Sequence, residues 1–215
     1  MIGRGRRSAA RTVYKLCSLL LEYPHEELYA AREELLAAVA ALPRSAAAEA
    51  LGRFCAWWSQ TSPSDAAAHY VEAIDLDRRA GLYMTFYSDG DRRERGVALL
   101  RLRRLYRAAG LPQEGAELPD YLPLMLEFAA AAPGGRGELV LREHRAALEL
   151  VRTRLREQGS PYGELLEAVA LTLGEPSAAD RARAAMLVAN GPPTELVGLE
   201  PFAPPEVVPD VGARR

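Results

Sequence analysis

Residues 74–87, I-D-L-D-R-R-A-G-L-Y-M-T-F-Y, carry the reading on which the fold class turns. Leu82 to Tyr87 has the aromatic and apolar composition of a strand. Yet Ile74, Arg78, Leu82 and Phe86 recur four residues apart, the spacing of one helical face and not the alternation of a strand. Read as helix, the stretch removes the one strand candidate, and the chain becomes all-α.

The same punctuation continues outward on both sides. Val13, Leu16, Leu20 and Tyr23 recur at three- and four-residue steps until Pro24 closes the run, and a second helix is expected over about 25–42. A third, from Ser45 to Ser59, carries Phe54, Trp57 and Trp58, and Ser62-Pro63 restarts a helix near Asp65 with an N-cap and a first-turn proline. Gly110 before Pro112 and Gly174 before Pro176 are helix stops, while Ser160-Pro161 starts a helix and Ser177 with Asp180 forms a capping box. Gly134, Gly135 and Gly137 mark the most flexible internal connection. Six of the 15 prolines fall after Asn190. The expected organisation is a flexible basic N-terminus over 1–11, a single-domain helical bundle over 12–190, and a disordered or extended proline-rich tail over 191–215.

Composition narrows the function classes. With 215 residues, 49% hydrophobic and 26% charged, the chain suits one core, and no run approaches the roughly 18 apolar residues that would span a bilayer. A net charge of −2 removes the global electrostatic motive for nucleic-acid binding. Arg93, Arg101, Arg103, Arg104 and Arg107 ring a helix whose apolar face holds Ala98, Leu99, Leu102, Leu105, Tyr106 and Ala109, so a solvated outer face is expected. An arginine-face nucleic-acid binder is the distant alternative. It lacks the exposed aromatics that stack bases.

Catalysis finds no foothold. Cys17 and Cys55 have neither C-x-x-C spacing nor a ligand partner and suit buried positions, and no secretory leader precedes them, so a cytoplasmic location is expected. His25, His69 and His144 are scattered without a metal-ligand pattern. No nucleophile elbow or phosphate-binding loop is present, so neither enzyme activity nor a cofactor or metal is expected. Tyr83 and Tyr87 lie four apart on one expected helical face, with Asp75, Asp77, Asp89 and Asp91 supplying acid at both ends of the aromatic stretch. Further on, E-L-P-D-Y-L-P-L-M-L-E-F-A-A, residues 117–130, places Pro119, Asp120 and Pro123 at a helix start with Leu122, Leu126 and Ala129 as its buried stripe, and Glu117, Tyr121 and Glu127 belong to the same motif. Each has a purely structural alternative: core packing for the tyrosines, dipole stabilisation for Asp120.

At these residues a family becomes visible. The order of Y-V-E-A-I-D (70–75), L-Y-M-T-F-Y-S-D-G-D-R-R-E-R-G-V-A-L (82–99) and the 117–130 motif resembles the NarJ-like assembly chaperones of respiratory nitrate reductase, part of the TorD-like group. V-Y-K-L-C-S-L-L-L-E-Y-P (13–24) is also similar, and the likeness spans roughly residues 12–175. One position departs. The family's Pro-Asp-His motif is Pro119-Asp120-Tyr121 here, which keeps an aromatic ring with hydrogen-bonding capacity and loses the imidazole.

The resemblance implies a TorD/NarJ-like helical bundle that is not an enzyme. It implies binding, in the cytoplasm, of the N-terminal segment of the immature catalytic subunit of nitrate reductase, supporting molybdenum cofactor insertion before membrane docking. Molybdenum cofactor biosynthesis proteins are further implied partners; nucleic acid and direct membrane insertion are not. Another complex iron-sulfur molybdoenzyme is the alternative client. An amphipathic segment with a positive flank needs an apolar groove with acidic neighbours, and Asp75, Tyr83, Tyr87, Asp89, Glu117, Asp120, Tyr121 and Glu127 are the residues expected to supply it.

Overall fold

In a computed structural model, which describes residues 2–89, 93–180, 182, 185 and 186, every regular element is helical and a single isolated β-bridge joins Tyr83 to Tyr121. The proline-rich tail lies outside the described residues. Helix α1 (Ile2–Leu20) is the central element, lying against α8 (Leu122–Ala131) and α11 (Tyr162–Leu173). It buries Val13, Leu16, Cys17 and Leu20 along one stripe, with Tyr14 beside them. Because α1 begins at Ile2, the basic N-terminal stretch is its first turns and not a separate segment. Arg11 is the reason one arginine there is held: it donates to the carbonyls of Ala130 and Ala131 at the end of α8, where the helix dipole is negative.

The capping signals at Ser62 and Ser177 are realised where the sequence places them, and Ser45 proves to be a further cap. The Ser45 hydroxyl accepts from the Ala48 N–H (3.2 Å) to open α4 (Ala46–Gln60), and Ser62 accepts from the Asp65 N–H (3.2 Å) to open α5 (Pro63–Tyr70). Ser177 and Asp180 cap each other reciprocally. The helix expected over 25–42 is instead α2 (Glu26–Ala30) and α3 (Arg32–Ala40), offset at Ala31, whose ψ of 2° leaves the helical well. His25 caps α2 by accepting the Leu28 N–H at Nδ1 (3.0 Å).

The deciding stretch is helical only at its two ends. A π-helical turn (Val71–Asp75) extends α5, closed by an i→i+5 bond from the Leu76 N–H to the Val71 carbonyl (2.9 Å), and helix α6 covers Met84–Asp89. Between them Asp77 stops the helix. Its carboxylate accepts from the Arg79 N–H (2.8 Å), Arg154 Nε (2.6 Å) and Gln158 Nε2 (2.6 Å), and its carbonyl takes the Ala80 N–H (2.8 Å), so the backbone turns instead of winding on. Around Tyr83 the chain then pairs with 120–122: the Leu122 N–H reaches the Leu82 carbonyl (2.8 Å) and the Met84 N–H the Asp120 carbonyl (3.0 Å). Strand-like composition there is satisfied by two bridge bonds, not a sheet.

Helices α7 (Arg93–Ala108), α9 (Arg136–Glu143) and α10 (Arg145–Glu157) complete the shell. In α7, Leu102 and Tyr106 are buried while Arg101, Arg103, Arg104 and Arg107 face outward, as the helical wheel requires. The 134–137 glycines have two uses. Gly134 and Gly135 take left-handed φ of 68° and 75°, and Gly137 lets α9 cross α8 so closely that a Cβ there would lie 2.2 Å from Ala129 Cα.

Candidate peptide-binding site

The bridge between Tyr83 and Tyr121 builds the floor of a surface cleft. Pairing backbones sets the two side chains next to each other, ring centroids 5.4 Å apart. Beneath them Asp120 is completely buried: Oδ2 accepts from the Thr85 hydroxyl (2.6 Å) and N–H (3.1 Å) and faces Arg95 Nη2 at 3.6 Å. Arg95 also reaches the Thr85 hydroxyl (3.2 Å). Burial of a carboxylate is tolerable only with such donors. The acid therefore fastens the start of α6 to the start of α8, and both tyrosines ride on that joint.

A second wall comes from the α5 end and the turn after α1. Tyr70 is buried, its hydroxyl donating to the Leu21 carbonyl (3.2 Å) and lying 3.5 Å from the Tyr121 hydroxyl. Tyr23 packs edge-on against Tyr70 at 5.5 Å while remaining 45% exposed. Tyr70 in turn meets Tyr162 (5.4 Å), which meets Phe54 (5.3 Å), so the wall is continuous with the aromatic core. Ile74 and Leu82 complete an apolar lining around a cleft of about 420 Å³. Leu76, 76% exposed, sits just outside on the turn.

Acids rim this cleft. Asp75, Asp77 and Glu117 all line it, with Arg78 the basic residue among them. Glu117 Oε1 accepts from the Tyr83 hydroxyl (3.1 Å), and burial together with that carboxylate pushes the Tyr83 phenol up to about 12. Burial likewise raises Tyr121 and raises Asp75 above the usual carboxylate range. For Asp77 burial works in the same direction but is outweighed by the Arg79 N–H and the Arg154 guanidinium, which hold it below that range. The arrangement can accept an apolar side chain between tyrosine faces and a cation at the rim.

Of the eight residues singled out in the sequence, four meet here: Asp75, Tyr83, Glu117 and Tyr121. The others do not present themselves to a partner at the cleft. Tyr87, 2% exposed, is a core residue whose hydroxyl donates to the Gly81 carbonyl (2.8 Å); because Tyr83 lies outside α6, the two tyrosines never share a helical face. Asp120 positions and does not touch. Glu127 pairs with Lys15 across the α1–α8 seam, and Asp89 stands at the far end of α6 beside the Ser88 hydroxyl (3.1 Å). Sequence reading passed over Tyr23, Tyr70 and Leu82 as lining residues, although Tyr23 and Tyr70 lie within the quoted motifs; only the fold brings them to the bridge.

The histidines and cysteines have structural places. His69 lies between Trp57 (5.3 Å) and Tyr162 (6.0 Å) and bonds the Ser160 hydroxyl (2.9 Å), and His144 reaches the Val140 carbonyl (3.0 Å). Cys17 and Cys55 are buried, and burial raises both thiols, Cys55 to about 11.

The family model for the nitrate reductase delta subunit matches residues 25–167, which include the π-turn, the bridge and every cleft residue except Tyr23. A Bacillus subtilis protein named as a probable nitrate reductase molybdenum cofactor assembly chaperone, NarJ, is 34% identical over 160 residues, 74% of this chain and 87% of that one. The Escherichia coli chaperone NarJ is 36% identical over 155 residues, 71% of this chain and 65% of its own length. A nitrate reductase-like protein of Mycobacterium tuberculosis, NarX, is 35% identical over 160 residues, but these make up 24% of its length. The chain belongs to the nitrate reductase delta subunit family and is NarJ-like within it.

Proposed function

We propose that this protein is a cytoplasmic assembly chaperone without catalytic activity, and that its cleft takes the N-terminal segment of the immature nitrate reductase catalytic subunit. Held there, the subunit stays open to insertion of its molybdenum cofactor before it docks into its membrane-bound complex; cofactor biosynthesis proteins would meet it while it is held. One observation carries the reading. The bridge of Tyr83 and Tyr121, with Tyr23 and Tyr70 opposite, forms an aromatic cleft edged by Asp75, Asp77 and Glu117, the surface that an amphipathic, positively flanked segment requires.

Magnitudes favour the rings as anchors. Micromolar affinity needs about 8 kcal/mol, and an exposed ion pair supplies about 0–1 kcal/mol, so apolar burial must provide most of it. The rim acids then orient the segment and speed its capture.

The test is complementation of a strain lacking this gene under nitrate-respiring conditions. Wild-type protein should restore active nitrate reductase, whereas a folded Tyr83→Ala/Tyr121→Ala variant should leave a catalytic subunit without molybdenum cofactor. Full activity with that variant would remove the cleft from the function.

A further inference from the structure

Helix α7 exposes a face that neither the core nor the cleft uses. Arg93, Val97, Leu100, Arg104 and Arg107 follow one another at three- and four-residue steps and so form a single outward stripe. Val97 is 66% and Leu100 55% exposed, two large apolar side chains set in water among cations. Arg103 stands exposed beside the stripe, and Arg136 continues the basic surface by reaching the Ala108 carbonyl (3.4 Å) at the end of α7. Arg101 is answered by Glu143 (3.0 Å); among the described residues no acid is paired with Arg103, Arg104 or Arg107.

We infer that this face of α7 docks on an anionic lipid bilayer surface. In a protein whose net charge is −2, Arg93, Arg103, Arg104 and Arg107 stand exposed together on one helix, and cations so placed are complementary to a negatively charged plane. Val97 and Leu100 distinguish this face from a merely solvated one, because side chains of this kind sink between headgroups while flanking arginines hold the phosphates. A second copy of the chain is a poor occupant, since an isologous contact would set arginine stripe against arginine stripe. Nucleic acid is disfavoured because the one aromatic on α7, Tyr106, is buried against Phe128 and bonded to the Pro119 carbonyl, leaving no ring for stacking. The contact is peripheral: no helix among the described residues is long and apolar enough to cross a membrane.

Sedimentation of the full chain with vesicles tests this directly. Vesicles of mixed phosphatidylglycerol and phosphatidylcholine should carry the protein down at low salt, and phosphatidylcholine vesicles should not. Arg104→Glu/Arg107→Glu should weaken partitioning by well over tenfold, given about fivefold for each arginine merely removed. Leu100→Ser should weaken it less, and its deficit should persist at salt that has screened the arginines. All three sites are exposed, so the variants should melt with wild type and still bind the client peptide, which keeps this inference separable from the cleft. Equal binding to neutral vesicles, no binding to anionic ones, or undiminished binding by the double variant would overturn it. Capture of a single-stranded oligonucleotide with no vesicle binding would overturn it too, assigning the face to nucleic acid.

Discussion

Asp120 and Tyr87 do their work out of sight of solvent. Asp120 gathers the Thr85 donors and Arg95, and Tyr87 ties its hydroxyl to the Gly81 carbonyl, so both hold the bridge from behind. Truncating Tyr87 to alanine should cost about 3–5 kcal/mol, as large aromatic deletions in cores do. Tyr83→Ala, made at a half-buried cleft position, should change stability far less; denaturant unfolding of the two variants measures the contrast. Equal losses would mean that Tyr83 is also a core residue. Asp77 offers a pH test. Its folded-state pKa is depressed, so the pairing with Arg79 and Arg154 stabilises the fold above the unfolded carboxyl value of about 3.9 and is lost as pH falls through the folded value. Asp77→Asn should therefore melt below wild type at neutral pH, with the gap closing in acid. A gap independent of pH would assign the effect to packing.

Among the elements, the π-turn contributes Ile74 and Asp75 to the cleft, while α8 and α9 meet in a close crossing outside its lining. The extra residue per turn in Val71–Asp75 ends α5 with Ile74 turned inward and Asp75 outward, an arrangement that recurs where helices meet functional surfaces. At the α8–α9 crossing, Gly137 sits where any Cβ would strike Ala129 backbone. Gly137→Ala should force α9 away from α8 and destabilise by about 1–3 kcal/mol, since overpacking against backbone has nowhere to relax. Thermal melting checks it, and an unchanged midpoint would mean that α9 shifts freely. Helix caps at Ser62 and Ser177 were legible in the sequence because a cap is a contact within four residues. The turn at Asp77 was not, because the groups that stop the helix include Arg154 and Gln158, which arrive from α10. A four-residue spacing is evidence for a helix only if no distant partner holds a side chain in a turn that competes with it.

Across the whole molecule, the all-α class and the family motifs could be read from residue order, while the site could be read only in part. Asp75, Tyr83, Glu117 and Tyr121 converge; Tyr23 and Tyr70 join them through tertiary packing, and Asp120, conspicuous as an acid, proves to be a buried fastener. Composition distinguishes residue types and cannot distinguish the two sides of a bridge. The cleft and the arginine face of α7 share no lining residues, so client binding and surface docking can be separated by mutation. The central claim is that tyrosines at the bridge, more than the acids at its rim, bind the client. Titration calorimetry addresses it most directly, using a synthetic peptide with the N-terminal sequence of the partner catalytic subunit and each of wild type, Tyr121→Ala and Glu117→Gln at two salt concentrations. Tyr121→Ala should lose tenfold or more in affinity, since the client would cover the part of the ring, out of about 150–250 Å², that the fold leaves open, while Glu117→Gln and added salt should change it only a few-fold. Intact binding by a folded Tyr121→Ala, with binding abolished by Glu117→Gln or by salt, would contradict it.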